Sequence, residues 1–289
     1  MIVAIVGPTG VGKTKLSIEL AKKYNAEIIS CDSMQIYKKM DIGTAKVTEE
    51  EKEGIKHHMI DIKDVNDEYS VYDYQKDARK ILDSLIKNNK NVIIVGGTGL
   101  YLKALLYNYK FEENNVHNDY SNYSNEELYQ MVKKIDNETK IHINNRQRLE
   151  SYLNNHKEKS NFISNKMIYK SIIIGLTRPR NDLYDAINKR VDIMINDGLE
   201  KEARYFYDKN INSKAIKTAI CYKELYEYFN GNISKEEAIN LIKQRSRNYA
   251  KRQYTWFKHQ LDVRWFNIDV NNFDNTINDV INYIEKEAN

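Results

Sequence analysis

Near the amino terminus a short apolar run, Ile2-Val3-Ala4-Ile5-Val6, gives way to Gly7-Pro8-Thr9-Gly10-Val11-Gly12-Lys13-Thr14. No other feature constrains the fold as tightly. Five apolar residues in a row read as a strand buried on both faces, as in a parallel sheet clad by helices on each side. After the glycines, Leu16, Leu20 and Tyr24 recur at helical spacing. In the order strand, G-x-x-x-x-G-K-T, helix, backbone N–H groups, a helix N-terminus and a lysine converge on phosphate oxygens. The Thr14 hydroxyl can hold Mg2+. These residues imply phosphate binding; they do not choose the reaction.

The pattern repeats downstream. Glu27 to Cys31 reads as a second strand, and Tyr72 to Asn88 as a helix. Asn91 to Val95 is a further buried strand, stopped by Gly96-Gly97-Thr98-Gly99. Alternating strands and helices predict an α/β fold, a P-loop NTPase-like doubly wound parallel sheet. Residues 112–145 lack strand character, and Ser124 to Ile135 places Leu128, Met131, Val132 and Ile135 on one helical face. The expected organisation is a core of 1–111 and 146–289 with a small helical insertion lobe at 112–145. A strand is expected at 171–176, helices at 181–208, 213–230, 234–258 and 276–286, and a last strand at 263–268. The helix from Ser234 opens with a capping box to Glu237.

The 289 residues suffice for one α/β domain with an inserted lobe. No apolar run nears the ~20 residues of a membrane span. The strand beginning at Ile2 leaves no room for a targeting leader, so the expected compartment is the cytoplasm. Cys31 and Cys221 are too few and too far apart for a zinc knuckle or a disulfide framework.

Four further features bear on chemistry. Asp32 follows the second strand, at the sheet edge that faces the ligand crevice in open α/β folds, where a carboxylate can hold a metal or take a proton. The strand ending at Val95 leads into Gly96-Gly97-Thr98 rather than into the aspartate that an NTPase uses to hold Mg2+ near a γ-phosphate. A diphosphate that simply leaves needs no such apparatus. Between Lys243 and Lys258 the charges are all basic, Lys243, Arg245, Arg247, Lys251, Arg252 and Lys258, with Tyr249, Tyr254, Trp256 and Phe257 interleaved; such a helix suits a nucleic-acid backbone and stacking, or equally an aromatic core face with solvated charges. Arg178 and Arg190 are candidate phosphate clamps. His57 and His58, adjacent on a strand, point to opposite sides and make a poor metal pair, and Cys31 reads as a packed thiol.

The chain resembles the tRNA dimethylallyltransferases, nearly end to end. The resemblance rests on the glycine loop, on Asp32-Ser33-Met34-Gln35-Ile36-Tyr37, on Met40-Asp41-Ile42-Gly43-Thr44-Ala45-Lys46, and on His57-His58-Met59-Ile60-Asp61. It continues through Tyr69-Ser70-Val71, Val95-Gly96-Gly97-Thr98-Gly99-Leu100-Tyr101, Arg190-Val191-Asp192-Ile193-Met194 and Ala250-Lys251-Arg252-Gln253-Tyr254-Thr255-Trp256. It implies transfer of a dimethylallyl group from dimethylallyl diphosphate to N6 of adenosine 37, in the tRNA anticodon stem-loop, with Mg2+ and release of diphosphate. The implied catalytic residues are Asp32 as general base, Thr98 and Arg190. The loop from Gly7 to Thr14 would hold the diphosphate, with Thr14 as metal ligand. Asp32, Ser33, Met34, Gln35 and Thr98 would contact the flipped adenine and its neighbours. Gln147, Arg148, Tyr222, Lys223, Arg247, Lys251 and Arg252 would meet tRNA. The implied enzyme is a monomer without a membrane anchor.

Three departures stand out. Cys221 replaces a glycine in Ala219-Ile220-Cys221-Tyr222-Lys223-Glu224; Ser151-Tyr152-Leu153-Asn154 lacks an arginine; and Ile143-Asn144-Asn145 lacks a proline and an aspartate. The alternatives are a small-molecule phosphotransferase, an adenylate prenyltransferase, and a non-catalytic RNA-binding descendant.

Overall fold

Val3, Ala4 and Ile5 are consecutive and all fully buried, as are Val92 and Ile93. Successive strand residues face opposite sides of a sheet, so both faces of this one are covered. The computed structural model describes residues 1–109, 118–155 and 163–288. In chain order the elements are β1 (Ile2–Val6), α1 (Lys13–Tyr24), β2 (Ala26–Ser30), α2 (Glu49–Lys52), β3 (His57–His58), α3 (Val71–Lys87), β4 (Asn91–Val95), α4 (Gly99–Leu106), β5 (Tyr107–Tyr109), α5 (Asn125–Ile135) and α6 (Arg146–Asn155). There follow β6 (Ile163–Met167), β7 (Ile172–Thr177), α7 (Arg180–Asn196), α8 (Leu199–Asp208), α9 (Lys214–Thr218), α10 (Tyr222–Phe229), α11 (Lys235–Gln260), β8 (Arg264–Asn267) and α12 (Phe273–Ala288).

The main sheet has six strands in the order β3-β2-β4-β1-β7-β8, and every pairing is parallel. The carboxyl ends of β2, β4 and β1 therefore lie side by side. Helix α1 and the far helix α12 share one core with the sheet, through Leu16, Leu20, Ile277, Val280 and Ile284. A second core, built on α8, α9, α10 and α11, buries Ile36, Tyr37 and Met40 just beyond the carboxyl end of β2.

The chain divides into two compact units, Met1–Leu106 with Met167–Asn289, and Tyr107–Lys166. The lobe is thus wider than the expected 112–145, whose opening boundary lies outside the described residues. Its closing boundary moves because α6 supplies Leu149 and Leu153 to a small core with Leu128 and Val132 of α5. Arg146 ties α6 to the segment before α5, with Nη1 donating to the Tyr123 carbonyl at 2.7 Å and Nη2 to that of Tyr120 at 2.6 Å.

Two expected helices are each divided. The 181–208 pattern is α7 and α8, separated at Gly198, whose φ of 104° suits glycine. The 213–230 pattern is α9 and α10, separated at Cys221, whose φ is 91°. The capping box at Ser234 is present, with Oγ accepting from the Glu237 N–H at 3.2 Å and Glu237 accepting from the Ser234 N–H at 2.8 Å.

Candidate functional site

The loop after β1 turns at Gly10 and Gly12 with φ of 85° and 83°. A side chain at Gly12 would be strained by that φ and would also place its Cβ 2.7 Å from the Phe273 ring of α12. Lys13 opens α1 and folds back over the loop; Nζ donates to the carbonyls of Gly7 at 3.0 Å and Pro8 at 2.8 Å. Burial, and secondly the nearby Arg190 cation, pull the Lys13 pKa down to about 7, while Asp32 opposes them. Arg190 of α7 donates from Nη1 to Thr9 Oγ1 at 2.7 Å. Its own pKa is lowered by burial against the raising effect of Asp32. Three charges, from the start of α1, the turn after β2 and α7, are thus close enough to act on one another.

At the end of β2, Asp32 Oδ1 accepts the Met34 N–H at 2.9 Å, which fixes the carboxylate as an Asx turn. Its other oxygen lies beside Gly97, 4.0 Å from where a Cβ there would stand. The loop after β4 meets the same turn. The Thr98 hydroxyl accepts the Ser33 N–H at 3.0 Å and donates to Ser33 Oγ at 3.3 Å. The Thr98 N–H in turn donates to the Cys31 carbonyl at 3.1 Å. Burial is the main reason the Cys31 thiol is pushed far above its ordinary range, which leaves it packed rather than nucleophilic.

The segment 41–46 is held from two directions. Glu202 of α8 accepts the N–H groups of Asp41, Ile42 and Gly43 at 2.8–2.9 Å, and the Tyr222 hydroxyl at 2.6 Å. The buried Lys46 ammonium donates to Asp41 at 2.6 Å, Asp61 at 2.5 Å and the Tyr37 carbonyl at 2.8 Å. Gln35 joins this segment to the site by donating to the carbonyls of Thr44 and Ala45, each at 3.3 Å.

Sequence reasoning assigned no role to Glu202, Lys46 or Gln253, and read Tyr249 only as one aromatic of the basic helix. Tyr249, on α11, sits near Asp32; burial first, then the Asp32 charge, raise its phenol pKa. Gln253 carried no local signal, since Gln244 and Asn248 are neutral amides in the same basic run. It is 5% exposed.

Among the expected tRNA contacts, Tyr222 needs correction. Its ring is fully buried, packed where a Gly43 side chain would stand, and its hydroxyl is taken by Glu202, so its role is internal. The basic helix is divided in use. Lys243 pairs with Asp192 at 2.6 Å, Arg245 pairs with the buried Glu224, and Arg247 donates to Asn188 at 2.6 Å. Lys251 and Arg252 are exposed. Lys223 is half-buried beside Glu224. Gln147 and Arg148 stand exposed on α6 of the lobe. The Nε of Arg178 is buried without a hydrogen-bond partner. His57 and His58 take separate partners, the Ile55 carbonyl at 2.9 Å and Glu27 at 2.7 Å.

Cys221 sits at a backbone angle that suits glycine, φ 91°, and its sulfur approaches the Gly43 carbonyl at 3.7 Å. A non-glycine residue there stores on the order of 1–3 kcal/mol of strain. Cys221→Gly releases that strain but loses a buried thiol and adds chain entropy to the unfolded state, so its Tm should stay within a few degrees of wild type. Cys221→Val brings a branched Cβ to the same angle and should melt clearly lower. Thermal melts of the two variants side by side check this; equal melting points would mean the angle carries no strain.

For Mg2+, the structure offers oxygen donors only sparingly. Thr14 is exposed at the start of α1, and among the described residues no group of three or more His, Cys, Asp or Glu could cage a metal. That donor set fits an ion carried mainly by substrate phosphates and water.

A family model described as IPP transferase matches residues 35–260. A tRNA dimethylallyltransferase of Anoxybacillus flavithermus is 44% identical, over 98% of this chain and 96% of its own length. One of Bacillus cytotoxicus is 46% identical, over 98% and 94%. The crystal structure of a full-length tRNA isopentenylpyrophosphate transferase from Bacillus halodurans superimposes with a TM-score of 0.79 at 42% identity, covering 99% of this chain and 95% of that one. A eukaryotic dimethylallyltransferase acting on tRNA superimposes with a TM-score of 0.77 at 26% identity, covering 91% of this chain and 73% of its own. Among the described residues no helix is long and apolar enough to cross a membrane.

Proposed function

The chain belongs to the IPP transferase family, and on that premise we propose how its own residues carry the reaction. A dimethylallyl group passes from dimethylallyl diphosphate to N6 of adenosine 37 in tRNA, giving N6-(dimethylallyl)adenosine and free diphosphate. The observation that supports this assignment best is the meeting of two half-sites: a phosphate loop with Lys13 and Arg190, and a fixed carboxylate, Asp32, whose charge reaches both cations.

The diphosphate lies on the Gly7–Thr14 loop, where N–H groups and the α1 N-terminus face it. Lys13 and Arg190 stabilise the charge that grows on the leaving oxygens as the C1–O bond breaks. Mg2+, held by Thr14 and the diphosphate, would supply further neutralisation of that charge. The adenine N6 is a weak nucleophile because its lone pair is shared with the ring. As N6 bonds to C1, its proton passes to the free oxygen of Asp32. Thr98 holds the Ser33 amide and so fixes the turn that carries the base. The adenine must leave its stack to reach this edge, which an anticodon loop permits at low cost. Exposed Lys251 and Arg252, with Gln147 and Arg148 of the lobe, offer charge and hydrogen bonds to the RNA backbone. In this reading the enzyme acts as a monomer, in the cytoplasm.

The direct test incubates the protein with labelled dimethylallyl diphosphate, Mg2+ and tRNA lacking this modification. Digestion to nucleosides should release labelled N6-prenylated adenosine. Label on free AMP instead would make it an adenylate prenyltransferase. Retention of tRNA without product would make it a binding protein only. Arg190→Ala removes a charge-assisted contact worth about 1.5–3 kcal/mol. It should raise the KM for dimethylallyl diphosphate by roughly 10- to 100-fold and leave the KM for tRNA nearly unchanged. An unaltered dependence on the diphosphate would remove Arg190 from the site.

A further inference from the structure

We propose that Gln253 is a positioning residue for the transfer, a strut that sets the spacing between the diphosphate loop and the acceptor loop; this rests on the function proposed above. Gln253 is buried in α11 and uses both ends of its amide. Oε1 accepts the Thr9 N–H at 3.0 Å, and Nε2 donates to the Gly97 carbonyl at 3.0 Å. One side chain therefore spans the loop after β1 and the loop after β4. Gly97 precedes Thr98, which holds the Asp32–Met34 turn, so the strut reaches the base through two hydrogen bonds. The fit is close on the acceptor side, where a Cβ at Gly97 would stand 2.1 Å from Gln253 Nε2. One turn on, the Trp256 ring packs where a Gly99 side chain would be. Tyr249, one turn earlier, lies within reach of the Asp32 charge. Residues spaced by four and three share a helix face, so α11 lays Tyr249, Gln253 and Trp256 along the acceptor loop.

The amide suits this task in a way its basic neighbours do not. An ammonium or guanidinium can only donate and a carboxylate can only accept, whereas glutamine does both from one terminus. It also adds no charge beside Lys13 and Arg190. If the strut fixes the approach of N6 to C1, its loss should act on the reacting geometry more than on either substrate's binding, since misplacement by about 1 Å can cost roughly 100-fold in rate.

The test uses the full-length protein, dimethylallyl diphosphate and unmodified tRNA. Gln253→Glu keeps the acceptor for Thr9 and turns the Gly97 contact into two facing oxygens. It should lower kcat by roughly 10- to 100-fold and leave the KM for tRNA within about threefold, while the added negative charge beside Lys13 and Arg190 raises the KM for dimethylallyl diphosphate. Gly97→Ala should produce a similar loss by displacing the amide. In Gln253→Ala/Gly97→Ala the amide is gone and the added methyl has space, so the double variant should be no slower than Gln253→Ala alone. Wild-type kcat in Gln253→Glu, or multiplying losses in the double variant, would remove the strut while leaving the function intact. A kcat loss that tracks loss of folded protein in thermal melts would equally overturn it. Absence of prenylated adenosine from the wild type would sink the function and this proposal together.

Discussion

Replacing Asp32 by asparagine should reduce prenyl transfer by roughly 100- to 10,000-fold, the range typical of a removed general base. The substitution is nearly isosteric, and its Oδ1 can still accept the Met34 N–H that fixes the turn. The Ser33–Thr98 contact does not involve the carboxylate, so the acceptor loop keeps its anchor. What disappears is a group that can take the N6 proton. The negative charge beside Lys13 and Arg190 disappears as well, and it now raises the pKa of both. Removing it makes the pocket more positive, so binding of dimethylallyl diphosphate should hold or tighten while turnover collapses. Retained diphosphate affinity with lost turnover is the signature of a proton acceptor. Calorimetric titration with dimethylallyl diphosphate, beside steady-state kcat, separates the two. Near-wild-type turnover in Asp32→Asn would show that water or another group takes the proton.

How much of this could be read beforehand depends on the range of the interaction that decides each feature. The buried strands were legible because a parallel sheet covered on both faces demands continuous apolar residues, and Ile2–Val6 and Asn91–Val95 meet that demand locally. The glycine loop was legible because its mechanism lies within eight consecutive residues. The breaks at Gly198 and Cys221 were not, since the helical periodicity runs on through both and only the backbone angle marks the interruption. The two-residue strand β3 exists through its pairing with β2, and a segment that short has no period of its own. Tyr222 shows the limit of reading roles from a motif: the resemblance implied a contact with tRNA, but the ring is enclosed by the 41–43 segment and Glu202. Gln253 shows the converse. Its partners lie 244 and 156 residues away in the chain, so nothing local distinguishes it from a solvent-facing glutamine.

The loop lysine offers the prediction with the clearest pH signature. In the protein without ligand, burial and Arg190 pull the Lys13 pKa from its ordinary 10.5 to about 7. A diphosphate on the loop favours the ammonium, so its pKa must rise on binding. Above pH 7 the free protein has shed that proton and must take it up again to bind. Affinity for dimethylallyl diphosphate should therefore be greatest below pH 7 and fall by up to about tenfold per pH unit above it. Titrations at pH 8 in buffers of different ionisation enthalpy should show uptake of close to one proton. The stability contribution runs the opposite way. Between about pH 7 and the ordinary lysine range the unfolded chain holds a Lys13 proton that the folded chain has released, so folding should gain stability from this group as pH rises. Lys13→Met, of similar length and without charge, should remove both dependences. It should also weaken diphosphate binding by roughly 10- to 100-fold, the loss of a charged hydrogen bond worth about 1.5–3 kcal/mol. The decisive comparison is wild type against Lys13→Met across pH 6.5 to 9, as measured Kd and as denaturation midpoint. If the two proteins keep parallel pH profiles in both measurements, Lys13 neither titrates in this range nor meets the diphosphate.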